Sequence, residues 1–202
     1  MSEKLTHGIP NDLSPWLDTI NNEAYFRRYP LKEGPVFTNE VRIMDKIAGP
    51  VIERALKFEE NAKKSGLVVA IAHRGGVYQP PVAVRYGQIE AEDDKYGGKL
   101  NKYTYYALLK TQFLIRNPEF KASIENLKLP ENKIWKIDEN SLPGGSIAFK
   151  NGIILGISGL ATGEQDSAVV LAIGVAAHLV RRQVATKMAR NLGFLSEYHK
   201  FI

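Results

Sequence analysis

The chain contains no cysteine, which rules out disulfides, thiolate metal sites, a cysteine nucleophile and a thiolate-ligated heme. It also lacks any uninterrupted apolar run of about 18 residues or more, so no membrane-spanning helix is expected. The first twenty residues mix Glu3, Lys4, His7, Asp12 and Asp18 with two prolines, which is not the make-up of a secretory signal. We therefore expect a cytoplasmic chain without a membrane partner.

Several chemical signatures are missing as well. Neither Gly-x-Gly-x-x-Gly nor a Gly-Lys-[Ser/Thr] loop occurs, which excludes the common dinucleotide and phosphate-loop patterns. There is no His-x-His, His-Glu-x-x-His or acidic cluster of metal-binding spacing, and Ser158 lacks the Gly-x-Ser-x-Gly elbow of a hydrolase. Basic charge is present but thinly spread, with a net charge of +5 and an isoelectric point near 9.3. Its densest stretch, Arg181-Arg182 with Lys187 and Arg190, is expected in the last turns of a long helix, where cations complement the dipole. No zinc knuckle, recognition helix or aromatic RNA-binding strand accompanies it, so no nucleic-acid partner is expected.

What the chain does have is the composition of one globular domain: 202 residues, 44% of them hydrophobic and 24% charged. Residues 1–38 hold four prolines together with Trp16, Leu17, Ile20, Tyr25 and Phe26, and read as an arm that packs on the domain or on a neighbouring subunit. Residues 39–202 read as the domain itself. A helix is expected from Asn39, kinked or restarted at Pro50 and closed by a left-handed glycine at Lys63-Lys64-Ser65-Gly66. Leu67 to Ala72 is an unbroken, β-branched apolar run, the pattern of a strand covered on both faces. Val77 to Val84, interrupted by Pro80-Pro81, reads as the returning strand at a sheet edge.

A helix over Asn101–Asn117, a short helix near Glu119–Leu127 and a strand over Ile134–Ile137 follow. Ser146–Lys150 and Ile153–Ser158 flank Asn151-Gly152, which suits a type I′ hairpin turn. From Asp166 to about Asn191 one helix is expected, apolar all round in its first half and therefore buried. The order of elements predicts an α/β (α+β) fold, an antiparallel sheet packed with helices.

Four groups could carry chemistry. Gly144-Gly145 permits close backbone approach to a ligand or serves only as a turn. The loop from Ser158 to Asp166 places polar residues at a helix N-terminus, with Thr162 or Asp166 as a cap or a ligand contact. His73, after the buried strand, and His178, within the apolar helix, could ligate heme iron or be core residues held by hydrogen bonds. Lys110 shares a helix face with Tyr106, Ala107, Phe113 and Leu114; it could act as a base, form a Schiff base or bind an anion, or extend to solvent.

In order along the chain, Val68 to Gly76, Ala107 to Thr111 with Lys110, Gly144-Gly145-Ser146-Ile147, Asn151-Gly152, Gly156-Ile157-Ser158-Gly159 and Gln165-Asp166 form a pattern. It resembles the GlcG/HbpS family, also called the heme-degrading domain family, over roughly residues 40–180. Departures from the family pattern are His73 in place of an aspartate, Ile147 in place of a proline, a hairpin about two residues shorter, and the N-terminal arm.

The resemblance implies a profilin-like fold that assembles into a homo-oligomer, a dimer or larger ring. It also implies a pocket near a subunit interface that binds a small molecule, with heme or another tetrapyrrole as a candidate. The residues expected around that ligand are His73, Tyr106, Gly144, Gly145, Ser146, Ser158, Gly159, Gln165 and Asp166, with His73 on heme iron. The alternative is a lyase or isomerase that uses Lys110 as its catalytic base.

Overall fold

Strand β1 (Gly66–His73) is the centre of the sheet and is buried along its whole length except at His73. In the computed structural model, which describes residues 36–58, 66–74, 82–87, 89, 98–137 and 140–202, β1 is hydrogen-bonded on both sides. It pairs with β2 (Val82–Gly87) on one side and with β6 (Ile153–Ser158) on the other, as a β-branched run with no charge should. Adding β5 (Ser146–Ala148), the order is β2-β1-β6-β5, antiparallel throughout, with β2 at an edge as expected. Gly66 pairs with Gly87 and so belongs to the strand instead of capping a helix. The expected start of the return strand, Val77 to Pro80-Pro81, lies outside the described residues.

Side chains alternate across the sheet and sort the helices into two layers. Leu67, Val69, Ile71, Ile153, Leu155 and Ile157 share a core with helices on one face, whereas Val68, Ala70, Ala72 and Ile154 pack with helix α2 (Lys99–Arg116) on the other. The first face is covered by α1 (Val36–Leu56) and α3 (Gly163–Ala176), with α4 (Arg182–Asn191) and α5 (Leu195–Phe201) behind. The fold is therefore α+β, an antiparallel sheet between helical layers.

Helix α1 begins at Val36, taking in three residues assigned above to the arm, and runs through Pro50 as one helix to Leu56. Ala48, Ile52 and Ala55, at i, i+4 and i+7, enter the core. Between α2 and β5 the chain forms two 3-10 turns, Ser123–Lys128 and Glu131–Lys133, and a small ribbon, β3 (Lys136–Ile137) with β4 (Asn140–Ser141). Buried Asn126 fixes this excursion by bonding both backbone groups of Trp135, at 2.8 and 2.9 Å.

The β5–β6 hairpin turns differently from expectation. Gly152 has φ 87°, but Asn151 is not in the left-handed region, and the Gly152 N–H donates to the Phe149 carbonyl at 3.0 Å. This is a type I turn closed by a left-handed glycine, not a type I′ turn.

The long closing helix also divides. The Leu179 N–H donates to the Gly174 carbonyl at 2.9 Å and the His178 N–H to the Val175 carbonyl at 3.1 Å, with His178 at φ 58°. These are the bonds of a Schellman cap with histidine at the left-handed position. His178 is thus exposed at the end of α3 and does not lie within an apolar helix. Arg181 and Arg182 consequently sit at the N-terminus of α4, not in the last turns of a helix.

Candidate functional site

The helical layers meet where β5 begins. Lys110, on the sheet-facing side of α2, is only 1% exposed, which excludes extension to solvent. Its Nζ donates to the Ile157 carbonyl of β6 and to Asp166 Oδ2 of α3, both at 2.8 Å. The remaining carboxylate oxygen, Asp166 Oδ1, accepts from the Leu160 N–H at 3.2 Å. One ion pair therefore joins α2, β6, α3 and the loop after β6. An ammonium and a carboxylate this deeply buried persist because each has hydrogen-bond partners in addition to the other charge.

Gly145 makes this crossing possible. It has φ 122°, and a Cβ there would stand 2.7 Å from both Lys110 Nζ and Asp166 Cβ. The gap left by the missing side chain is where the charged groups pass the sheet edge. Gly144 packs as closely on the start of α3, since a Cβ there would lie 2.7 Å from the Gly163 carbonyl and from Ser167 Oγ. Both glycines thus serve close packing of one chain on itself. Ser146 follows them, fully buried, with its N–H donating to Ser123 Oγ at 3.0 Å. Its own Oγ has no hydrogen-bond partner among the described residues.

The other residues named from the sequence are placed separately. Thr162 is the cap of α3, its Oγ1 accepting from the Gln165 N–H at 3.2 Å, so Asp166 is free of that role. Gln165 is buried beside it. Ser158 is buried opposite Val68, and Gly159 packs on Leu67 at the start of β1. Tyr106 lies one turn before Lys110, half-buried and edge-on to Tyr105 at 6.0 Å.

His73 does not join the group. It stands opposite Ile153, four residues along β1 from the Val69–Ile157 pair, about 13 Å away at strand rise. Its Nε2 lies 3.1 Å from the Asn151 carbonyl, and its ring covers Gly152. The imidazole is thus engaged with the hairpin turn, away from Lys110, Gly145 and Asp166. These residues do not fit a heme held through His73. No group of three or more potential metal ligands occurs among the described residues.

Sequence reasoning missed Ser123, the Ile157 carbonyl and the Leu160 N–H. The two backbone groups carry no residue-type signal, and Ser123 reaches Ser146 across 23 positions. Comparison with family models, curated proteins and solved structures finds no match to the chain. No helix among the described residues is long and apolar enough to cross a membrane.

Proposed function

We propose that the chain is a small-ligand-binding protein in which the Lys110–Asp166 pair anchors an organic anion. The observation that supports this reading is an ion pair buried against Gly145, the residue before Ser146, whose buried hydroxyl has no hydrogen-bond partner among the described residues. Apolar residues of similar volume often stabilise a core as well as a buried ion pair does. The pair is better accounted for by a ligand carboxylate that shares Lys110 with Asp166, taking the ammonium N–H left after the Ile157 carbonyl and Asp166 bonds and accepting from the Ser146 hydroxyl. Tetrapyrroles carry such carboxylates, so this class remains a candidate through its acid groups, with no part for His73.

A second reading rests on the tight packing at Gly145: the pair is a clamp, and the protein is a scaffold for other chains. Calorimetric titration with hemin, biliverdin and small dicarboxylates separates the two. Saturable binding to the wild type, lost in a folded Lys110→Met/Asp166→Leu variant, is expected of the ligand-binding protein. Absence of binding by the wild type, with the double variant less stable than the wild type, is the result expected of a scaffold held by the clamp.

A further inference from the structure

Helix α4 presents to solvent a face built almost wholly of hydrogen-bond donors and free of acid. Arg181, Arg182, Gln183, Lys187, Arg190 and Asn191 are all exposed. There is no aspartate or glutamate anywhere between Asp166 and Glu197. Among the described residues none of these four cations pairs with a carboxylate.

Their position makes the charge harder to explain structurally. Arg181 is the N-cap and Arg182 the first residue of α4, the first turn holds no acid, and no side chain caps its N–H groups. Cations at the positive end of a helix dipole are unfavourable, and no carboxylate among the described residues pairs with them. The expectation that the basic stretch complements a helix C-terminus holds for Arg190, in the last turn of α4, and fails for Arg181 and Arg182 because His178 ends the preceding helix.

We propose that the outer face of α4 binds a nucleic-acid backbone. Three classes of partner would suit a cationic face, and the surface chemistry distinguishes them. A membrane-lying helix needs a broad exposed apolar face, and a protein interface needs an apolar or aromatic centre. Here the exposed large apolar side chain is Val184 alone among residues 181–191. Nucleic-acid interfaces are polar and strongly positive, with Arg and Lys on phosphates and Asn and Gln able to reach base edges. A convex helix of ten residues, about 15 Å long, matches a groove in which such contacts are made.

The test is fluorescence anisotropy of a labelled duplex with the full chain at 50 and 200 mM salt. Release of counterions by four cations should weaken binding about 100-fold between these salt concentrations. The Arg182→Glu/Lys187→Glu/Arg190→Glu variant, checked for folding by circular dichroism, should lose binding. A control reversing Lys121, Lys133 and Lys136 to Glu should keep it. Should the triple variant not fold, Lys187→Gln/Arg190→Gln should lower the salt slope by about two. Equal loss in the control, or unaltered binding by either α4 variant, overturns the proposal. Binding to poly-glutamate or to anionic vesicles as tight as to the duplex overturns it in favour of a protein or membrane partner.

Discussion

Lys110 and Gly145 are matched in space: the lysine ammonium lies 2.7 Å from where a Cβ on residue 145 would stand, too close for a side chain there. The glycine that looked like a ligand cradle is thus the opening through which an α2 cation reaches an α3 carboxylate.

Removing one partner should cost far more than removing both. Lys110→Met leaves the Asp166 carboxylate buried without its cation and should destabilise by about 3–5 kcal/mol. Lys110→Met/Asp166→Leu should recover a substantial part of that loss. Urea unfolding of the two single variants and the double variant measures the coupling; additive losses would show that the contact contributes nothing of its own.

Gly145→Ala places a methyl group against Lys110 Nζ, Asp166 Cβ and the Ile157 carbonyl at a left-handed backbone position. Steric overlap and backbone strain together should lower stability by about 2 kcal/mol or more. Thermal melting checks this, and an unchanged midpoint would mean that the passage is wider than described.

His178→Gly should have the opposite sign. The histidine holds a left-handed conformation that costs an L-residue about 1–2 kcal/mol, partly offset by the greater chain entropy of glycine when unfolded. A gain of up to about 1 kcal/mol in urea is expected. A loss would show that the imidazole makes a contact worth keeping.

The pattern of local elements was legible in the sequence, and the meeting of distant ones was not. Leu67–Ala72 reads as a central strand because its apolar run suffices, and α2 and the β5–β6 hairpin follow from periodicity and Asn151-Gly152. Residue type alone could not place His73, whereas strand register sets it at the turn, away from Ile157. The end of α3 was hidden because its left-handed residue is a histidine and the nearest glycine before it, Gly174, lies inside the helix. Lys110 and Asp166 could each be singled out, but their 56-residue separation leaves no periodic trace of the pairing.

Acid sensitivity should come in part from the turn beside β5. Burial raises the Glu125 carboxyl, but the Lys128 ammonium and the N–H groups of Lys121 and Ala122 bond to it and hold it below its ordinary value of 4.5. A folded value below the unfolded one gives stability that is present above 4.5 and lost as pH falls through the folded value. Between about pH 5 and pH 3, the melting temperature of Glu125→Gln should therefore fall less steeply than that of the wild type. Parallel pH profiles would remove Glu125 from the acid response.

The most direct test of an ion pair acting as ligand anchor is lysine-detected NMR of the Lys110 Nζ group during titration with whichever carboxylate binds in calorimetry. One lysine signal, absent from Lys110→Met, should shift in proportion to saturation while the remaining lysines stay in place. Full saturation with the Lys110 signal unmoved would contradict that anchoring.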